Sequence, residues 1–364
     1  MLEDMDIAYT KMLGIFNPYK ALKVRLTNDL PHFDAQAYKL NPNYQNVYDK
    51  LFIAQSQGMK CGELTALKGN RDIEYPIFIK PRYGHKTASS KYCYKVKTYA
   101  DLEPHFDKPE MMWSEFVDGK ETMTDFVLVD GTIVYQLTYV YSEKQYGFAD
   151  VWKHISPANK PPSEIVDWVV KNMIGYTGPL NVQYRINKII EVGMRFARSG
   201  MYLESTQNQV LVDAINVMWK TKSWPNRSPQ ELSFPEFYSF KCWSPFPVVY
   251  LVPQHVLDLI LWRGGAMTFY EYYFEPTGTS STVFFQFLHK DFERGMQMKR
   301  QIEGLMVAAN VVVLLALVVG VLAIVVFRCY SVLLIAFLLL LTGLDNSLVV
   351  ILSQLKHQKQ FVGL

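Results

Sequence analysis

Residues 178–199 combine an amide, a carboxylate and two guanidinium groups in a pattern suited to phosphate chemistry. Gln183 and Glu191 lie on two apparent strands joined by a short turn, and Arg195 and Arg198 follow directly. Amide and carboxylate oxygens are ligands that Mg²⁺ accepts, and guanidinium groups neutralise the oxygens of a transferring phosphoryl group. The pattern predicts a site that holds a metal-bound, multiply charged phosphate group.

Gly193 is the exception within this pattern. A metal site of this kind would use an oxygen donor at that position, and glycine has no side chain to supply one. Because Mg²⁺ often retains several water ligands, water could replace the lost oxygen and leave weaker metal binding. For Arg195 and Arg198 the alternative is a pair of solvated or ion-paired side chains.

Alternating strand pairs and helices must position these groups. The strongest local signal is a hairpin of residues 121–129 and 132–141 about Asp130-Gly131. The rhythm lacks the long regular βαβ repeat of a doubly wound sheet, so we expect an α+β fold. Helices are predicted at 8–16, 46–57, 100–106, 162–176 and 201–219, and further strands at 73–79, 91–97, 111–117, 180–186 and 188–194.

Four shorter motifs precede the phosphate pattern. Each is weakly specific alone, but their order along the chain is informative about the family. They are Asp49-Lys50, Pro76-Ile-Phe-Ile-Lys80-Pro81, the loop 84–90, and Trp113-Ser-Glu-Phe-Val-Asp-Gly-Lys-Glu121. Together with Asn181-Val-Gln183 and Glu191, they resemble the ATP-grasp superfamily, closest to the carbamoyl-phosphate synthase and amino-acid ligase branch. The resemblance covers about residues 48–218 and implies two α+β subdomains that clasp a nucleotide.

The resemblance also implies roles for single residues, with ATP and Mg²⁺ as cofactors. Three lysines would bind phosphates: Lys50, Lys80 on its strand end, and Lys86 in the loop. A hinge would bind the nucleoside, with the backbone of Glu115, Phe116 and Val117 at the adenine edge and the carboxylate of Glu121 at the ribose. Gln183 and Glu191 would hold the metal, and Arg195 and Arg198 would neutralise the transferring phosphoryl group.

Three departures from the family pattern stand beside this resemblance. The loop 84–90 has one glycine where relatives have several, and Gly193 stands where relatives usually have asparagine. Relatives also usually carry an N-terminal α/β domain, for which residues 1–45 are too few. We therefore expect the acceptor to bind in another way, through the aromatic segment after Trp224, or to be absent.

The C-terminal part is apolar enough to enter a membrane. Residues 305–327 could cross a hydrocarbon core of about 30 Å, and residues 331–352 could form a second span or a re-entrant arm. Basic residues are concentrated outside the two runs, which favours a helical hairpin with the large N-terminal domain and the C-terminus both cytoplasmic. The expected segments are a lead-in (1–45), an ATP-grasp-like domain (46–223), an aromatic juxtamembrane extension (224–300), the hairpin (301–355) and a tail (356–364).

The composition of the chain argues against several classes of protein. The chain has 364 residues, of which 49% are hydrophobic, enough for a sizeable core. Its four cysteines are scattered without paired spacing, which argues against structural zinc and a disulfide framework. A net charge of +3 gives no reason to expect nucleic acid as a partner. The aromatic extension is either a folded layer or a surface at the lipid headgroups.

Two functions remain open. The first is a membrane-anchored, ATP- and Mg²⁺-dependent carboxylate–amine or carboxylate–thiol ligase that works through an acyl phosphate; its carboxylate and amine substrates are unknown. The second is a catalytically degenerate ATP-grasp fold that serves as a structural or scaffold membrane protein, for example in a large DNA virus. Membrane lipid and a second copy of the chain are further partners for either function. Two helices with one intramembrane carboxylate argue against a channel.

Overall fold

The computed structural model describes residues 24–86, 92–143, 145–146, 149–245, 252–267, 270–276 and 282–327. The chain divides into two compact units. Of the described residues, the large unit comprises those in the ranges 24–143 and 153–236, and the small unit comprises those in the ranges 145–152 and 237–327. The large unit includes described residues on both sides of the range 46–223, and the predicted segment bounds stay predictions.

The elements of the large unit alternate between short helices and antiparallel strands, in agreement with the expected α+β class. The helices are α1 (Asp34–Leu40), α2 (Lys50–Ser56), α3 (Tyr99–Leu102), α4 (Ser163–Asn172), α5 (Met201–Ser205) and α6 (Gln209–Thr221). The strands are β1 (Cys61–Glu63), β2 (Ile77–Pro81), β3 (Tyr94–Val96), β4 (Met111–Glu115), β5 (Glu121–Val129), β6 (Thr132–Tyr141), β9 (Trp152–Ser156), β10 (Gly178–Arg185) and β11 (Lys188–Gly193). Two short strands, β7 (Gln145–Tyr146) and β8 (Ala149–Asp150), belong to the small unit.

A four-stranded antiparallel sheet carries the N-terminal part of the large unit, in the order β1-β4-β2-β3. The inward residues Ile77 and Ile79 of β2 are fully buried and pack with Leu67, Val96 and Leu102. The predicted hairpin of β2 and β3 is confirmed. Its first strand begins at Ile77 rather than at residue 73.

The second sheet of the large unit runs in the order β11-β10-β5-β6-β9. The β5–β6 hairpin has the predicted bounds, and Gly131 in its turn has φ +76°, a conformation that glycine adopts at little cost. Helix α4 covers this sheet with Ile165 and Val169, which pack on Leu180 and Val182 of β10. Helix α1 adds Ala37 to the same core, so part of the expected lead-in belongs to the fold.

The range 201–219 is largely helical as predicted, but it forms two helices rather than a continuous one. Helix α5 ends at Ser205, and Gln207 takes a positive φ of 54°. Asn208 then caps α6 by accepting a hydrogen bond from the amide of Leu211 at 3.0 Å. An asparagine that caps a new helix in this way stabilises a break rather than a continuous helix.

The small unit contains three neighbouring antiparallel strands and two helices. They are β12 (Phe237–Ser244), β13 (Tyr270–Pro276), β14 (Thr282–His289), α7 (Gln254–Gly264) and α8 (Phe292–Phe327), with the strands in the order β12-β14-β13. Phe240 of β12 and Phe285 and Phe287 of β14 are fully buried. These aromatic side chains therefore belong to the core of the small unit.

Helix α8 changes character along its length. Met298, Ile302 and Met306 are buried in the core of the small unit. Farther along, Val312 and Val319 are each 64% exposed. Residues Phe292–Val321 of this helix are long and apolar enough to cross a membrane. The expected second span, and the expected helix at 8–16, lie outside the described residues.

Candidate functional site

The antiparallel pair β10–β11 brings together the two predicted metal ligands. Gln183 is the direct partner of Glu191 in the register, and Asn181 is the partner of Gly193. Directly opposed residues of two strands present their side chains on the same face, so the amide of Gln183 and the carboxylate of Glu191 face one region. Within the described part of the chain, no side-chain hydrogen bond of Gln183 is found.

Two buried lysines border the same strand. The ammonium nitrogen of Lys50 lies 3.4 Å from Oε1 of Glu191. The ammonium group of Lys80 donates a hydrogen bond of 2.7 Å to the carbonyl oxygen of Ile190. Lys50 is only 6% exposed and Lys80 only 8%. Lysine is almost never buried without a partner, so two of them beside one carboxylate mark a site that attracts anions.

The two lysines differ in the pKa that their surroundings impose. Burial disfavours the charge of Lys50, but Glu191, with smaller contributions from Cys93 and Asp34, more than offsets burial, so the pKa of Lys50 lies above its ordinary value. Burial and, to a smaller extent, the positive charge of Lys50 together lower the pKa of Lys80 to about 8, against the opposing effect of Glu191. Lys80 therefore gains most from an added negative group.

Asp49 holds the start of α2 against the end of β2. Its carboxylate accepts the amide of Leu51 at 3.0 Å and so caps the helix. The same carboxylate accepts two hydrogen bonds from Arg82, at 2.9 and 2.6 Å. The amide of Lys50 also donates to the carbonyl of Arg82 at 2.9 Å. These contacts fix Lys50 beside Lys80, a positioning role that no motif had indicated for Arg82.

The loop after β2 begins against this cation pair. A β-carbon added to Gly84 would lie 3.4 Å from Cε of Lys50 and 3.5 Å from Oε1 of Glu191. The ring of His85 stacks on Tyr38 of α1, with centroids 3.7 Å apart. Lys86 pairs with Glu110 at 2.5 Å, so in this structure its charge is balanced by the protein. Residues 87–91, which include the rest of the predicted loop, lie outside the described residues.

The predicted adenine hinge is partly engaged by the protein itself. The amide of Glu115 donates to the carbonyl of Lys60 at 2.8 Å, and the amide of Phe116 donates to the carbonyl of Pro76 at 3.3 Å. Two of the three amides at Glu115, Phe116 and Val117 are therefore used within the fold. The ring of Phe116 also lies 3.7 Å from the ammonium group of Lys95.

Arg185 connects this hinge to the predicted ribose-binding residue. It donates to the carbonyl of Val117 at 3.4 Å and pairs with the carboxylate of Glu121 at 3.3 Å. Its guanidinium carbon lies 5.9 Å from the centre of the Phe116 ring. Val117, Phe116 and Glu121 thus each contact Arg185, a residue that the sequence patterns had not indicated.

Asp34 is the main residue that sequence reasoning missed. Its Oδ2 forms a 2.6 Å ion pair with Arg195, and its Oδ1 accepts a 3.2 Å hydrogen bond from the hydroxyl of Tyr48. The Tyr48 hydroxyl in turn accepts the amide of Met194 at 2.9 Å. A β-carbon added to Gly193 would lie 2.6 Å from Oδ1 of Asp34. No motif surrounds Asp34, so nothing in the sequence linked it to this site.

Asp125 shapes the turn that carries the second predicted arginine. It is fully buried and accepts hydrogen bonds from the Tyr139 hydroxyl (2.5 Å), the Asn181 amide (2.8 Å) and the Ala197 backbone amide (2.9 Å). Burial raises the pKa of Asp125 to about 6, although these three donors and Arg195 oppose the shift. Arg198 follows Ala197 with φ +44°, in the left-handed region that non-glycine residues rarely adopt.

Comparison with known proteins gives one relative in sequence and several in structure. No family model matches the chain. The carbamoyl phosphate synthase large chain of Pyrococcus furiosus is 25% identical over 170 residues, which cover 43% of this chain and 16% of that protein. The chain therefore matches less than a fifth of its curated relative's length.

The fold resembles solved ligase structures over three quarters of the chain. The L-amino acid ligase from Bacillus licheniformis matches with a TM-score of 0.51 at 15% identity, covering 74% of this chain and 75% of that one. N5-carboxyaminoimidazole synthetase from Staphylococcus aureus, complexed with ADP, matches with a TM-score of 0.51 at 16% identity, covering 74% and 79%. The chain shares the fold of these two enzymes, in agreement with the ATP-grasp resemblance of its sequence.

A metal–nucleotide complex is the ligand that the ATP-grasp resemblance of the sequence implies, so the donor atoms of the site can be compared with what Mg²⁺ requires. Among the described residues no cluster of three His, Cys, Asp or Glu side chains could hold a metal alone. Glu191 and Gln183 offer a carboxylate and an amide oxygen, and Mg²⁺ commonly takes one or two protein carboxylates together with nucleotide phosphates and water. The donor set therefore fits Mg²⁺ bound with a nucleotide rather than a free structural metal.

Proposed function

We propose that this protein is a membrane-anchored ATP-dependent ligase that joins a carboxylate to an amine or a thiol. The main support for the proposal is that two buried lysines, Lys50 and Lys80, lie beside the strand residue Glu191. Two buried ammonium groups would attract the phosphates of a nucleotide, and Glu191 opposite Gln183 would hold its Mg²⁺. The ATP-grasp fold, shared with an amino acid ligase and with an ADP-complexed synthetase, supports this proposal.

The chain's own residues suit a two-step transfer. Lys80 and Lys50 would hold the α- and β-phosphates while a carboxylate oxygen of the substrate attacks the γ-phosphorus and ADP leaves. Arg195 and Arg198 would neutralise the transferring phosphoryl group and the resulting acyl phosphate. An amine or thiol would then attack the acyl carbon and release inorganic phosphate. When bound, Mg²⁺ would supply further neutralisation of charge on the β- and γ-oxygens.

The nucleoside would occupy the hinge. The chain segment Glu115–Phe116–Val117 would border the adenine ring, with the Phe116 side chain on one side, and Glu121 would accept hydrogen bonds from the ribose hydroxyls. Because Glu121 already pairs with Arg185, its carboxylate would accept hydrogen bonds from the ribose and from Arg185 at the same time. Lys86 would have to leave Glu110 to reach a phosphate.

The membrane part of the proposal rests on α8. Its exposed apolar side chains beyond residue 310 would contact lipid acyl chains. We further propose that residues 331–352 complete a hairpin, with the large N-terminal region and the C-terminus in the cytoplasm. A substrate held at the membrane surface, or a second copy of the chain, would then be a suitable partner.

Nucleotide binding is the first test. The purified full-length chain in detergent should bind ADP more tightly with Mg²⁺ than without it, as measured by calorimetry. Lys80→Ala and Glu191→Ala should each weaken binding by at least about tenfold, since charge-assisted hydrogen bonds contribute roughly 1.5–3 kcal/mol. Lys60→Ala is the matched control, because Lys60 is an exposed lysine of the same unit that pairs with the exposed Glu74. Release of ADP in the presence of candidate carboxylates and amines then tests ligase activity.

A second function is supported by the ion pairs of the site. Arg195 is neutralised by Asp34 and Lys86 by Glu110, so two cations expected to bind phosphates already have protein partners. Such internal ion pairs would be expected in a structural or scaffold membrane protein that retains the fold but has no ligase activity. No Mg²⁺-dependent binding of ATP or ADP by the wild-type chain would favour this function over the ligase.

A further inference from the structure

In this chain, the position opposite Asn181 in the β10–β11 pair lacks the oxygen donor that the ATP-grasp pattern has there. Gly193 occupies it, and a β-carbon there would come within 2.6 Å of Oδ1 of Asp34. Carbon and oxygen atoms that are not bonded do not approach so closely. The space that a side chain at 193 would need is therefore already filled by a carboxylate from another part of the chain.

Asp34 is held in this place by contacts on several sides. It is the first residue of α1, and that helix is anchored by the fully buried Ala37 and by the stacking of Tyr38 on His85. The Tyr48 hydroxyl donates to Oδ1 at 3.2 Å, while Arg195 pairs with Oδ2 at 2.6 Å. A side chain that is fixed in this way presents its oxygen to the site without a large loss of conformational freedom on binding.

The carboxylates of Asp34 and Glu191 border the same cations. Both negative charges raise the pKa of Lys50, and both raise the pKa of Arg195, in each case against the effect of burial. The ion pair with Arg195 engages Oδ2, and Oδ1 receives only the hydroxyl of Tyr48 among the described contacts. A carboxylate can accept more than one such contact, so Oδ1 retains the capacity to bind a cation.

We infer that Asp34 supplies the oxygen donor that Gly193 lacks, so that Asp34, Glu191 and Gln183 together hold the divalent cation of the bound nucleotide. The inference rests on the nucleotide site of the proposed function. The inference explains why position 193 is a glycine: a carboxylate from outside the β10–β11 pair occupies the space that a side chain would need. An asparagine at 193 and an aspartate at 34 would exclude each other sterically. The inference can therefore be tested by moving the oxygen donor from position 34 to position 193.

The experiment compares the wild-type chain with Asp34→Ala, Gly193→Asn and the double variant Asp34→Ala/Gly193→Asn. The readouts are the ADP affinity with and without Mg²⁺, by calorimetry, and Mn²⁺ binding to the ADP complex, by electron paramagnetic resonance. Asp34→Ala should reduce the Mg²⁺-dependent gain in ADP affinity by about tenfold or more, because even outer-sphere partners of metal ligands change metal affinity by roughly 10–100-fold. The double variant should recover most of that gain.

Controls separate a ligand from a purely structural residue. Asp213→Ala removes an exposed aspartate on α6 and should leave the Mg²⁺ dependence unchanged. Asp34→Asn keeps the shape and one oxygen and should fall between the wild type and Asp34→Ala, which covers the case that the alanine variant unfolds. Gly193→Asn alone should lower both thermal stability and Mn²⁺ binding, because its side chain meets the carboxylate of Asp34.

The outcomes distinguish this inference from the proposed function. An Asp34→Ala variant with the full wild-type gain from Mg²⁺, or a double variant no better than Asp34→Ala, would overturn the inference while leaving nucleotide binding intact. A wild-type chain that binds ADP without any effect of Mg²⁺ would also overturn it. A wild-type chain that binds no ADP under any condition would remove the proposed function itself.

Discussion

The ammonium nitrogen of Lys50 lies 3.4 Å from Oε1 of Glu191, which joins the first turn of α2 to the strand β11. The two partners are unequally exposed, because Lys50 is 6% exposed and the side chain of Glu191 is 40% exposed. The pair therefore stabilises chiefly the lysine. A buried cation without a partner is unfavourable, whereas a carboxylate that reaches water is not.

This asymmetry predicts unequal effects of removing each partner. Glu191→Gln should reduce the free energy of unfolding by about 1–3 kcal/mol, less than for a fully buried pair because water screens the carboxylate. Lys50→Met should reduce it by less than about 1 kcal/mol, since Glu191 can turn toward solvent. Urea unfolding of the two variants and of Lys50→Met/Glu191→Gln measures this difference. Equal losses from both single variants would contradict the assignment of Lys50 as the dependent partner.

Lys80 predicts a pH dependence of nucleotide binding. Because its pKa in the folded protein is lowered to about 8, the lysine loses its proton as the pH rises through 8, and a phosphate then binds a neutral amine. Binding must take up that proton, so ADP affinity should fall by up to about tenfold per pH unit above 8. Calorimetry between pH 7.5 and about 9.5 measures the slope.

Lys80→Arg is the matched variant for this experiment, because a guanidinium group stays charged throughout this range. Its affinity curve should be flat where the wild-type curve falls. A wild-type curve that is also flat would show that Lys80 does not bind the phosphates.

Asp125 predicts a pH dependence of folding stability. Its pKa is raised to about 6 in the folded protein, so the folded state holds the proton more tightly than the unfolded chain does. The stabilisation from this group is complete below its unfolded pKa near 4 and is lost as the pH rises through 6. Relative to Asp125→Asn, the wild type should lose about 2–3 kcal/mol of unfolding free energy between pH 4 and 7.

Urea unfolding at closely spaced pH values checks this, because the amide side chain of the Asp125→Asn variant keeps the shape and an acceptor oxygen but does not titrate. Asp125→Ala should be less stable than both at every pH, since the Tyr139 hydroxyl and the Asn181 amide would lose their acceptor. A constant difference between the wild type and Asp125→Asn would argue against a raised pKa.

The exposed part of α8 predicts which residues bind the membrane. Val312 and Val319 are both 64% exposed, so replacing them should leave the core of the small unit intact. The variant Val312→Lys/Val319→Lys should shift the protein from the membrane to the soluble fraction, because lysine near the centre of a span is unfavourable by roughly 2.5–3.5 kcal/mol. Flotation with liposomes measures this, with Val312→Ala/Val319→Ala as control. Unchanged flotation of the lysine variant would exclude this stretch as the anchor.

The parts of the site that sequence reasoning found are those with local patterns. The opposition of Gln183 and Glu191 follows from the two-residue period of paired strands and a short turn, and Lys80 ends a strand of alternating apolar residues. The hairpin β5–β6 was predicted to the residue because Asp130-Gly131 favours one turn geometry. These features depend on neighbours within a few residues.

The missed residues act across long sequence separations. Asp34 reaches Arg195 from α1, and Asp125 binds the Ala197 amide, a contact between β5 and the turn that carries Arg198. An isolated aspartate in a mixed polar segment has the same local appearance whether it is solvated or paired with a distant guanidinium group. Only the packing of the fold decides between them, so neither the ion pair nor the raised pKa of Asp125 could be read from the sequence.

Helix α8 has a mechanical consequence beyond its apolar surface. The same continuous helix contributes Met306 to the core of the small unit and then Val312 to the exposed stretch, without an intervening hinge. A small unit carried by a membrane-inserted α8 would have a fixed height and a fixed rotational setting at the bilayer. Each residue inserted between these two positions would turn the small unit by about 100° and raise it by about 1.5 Å.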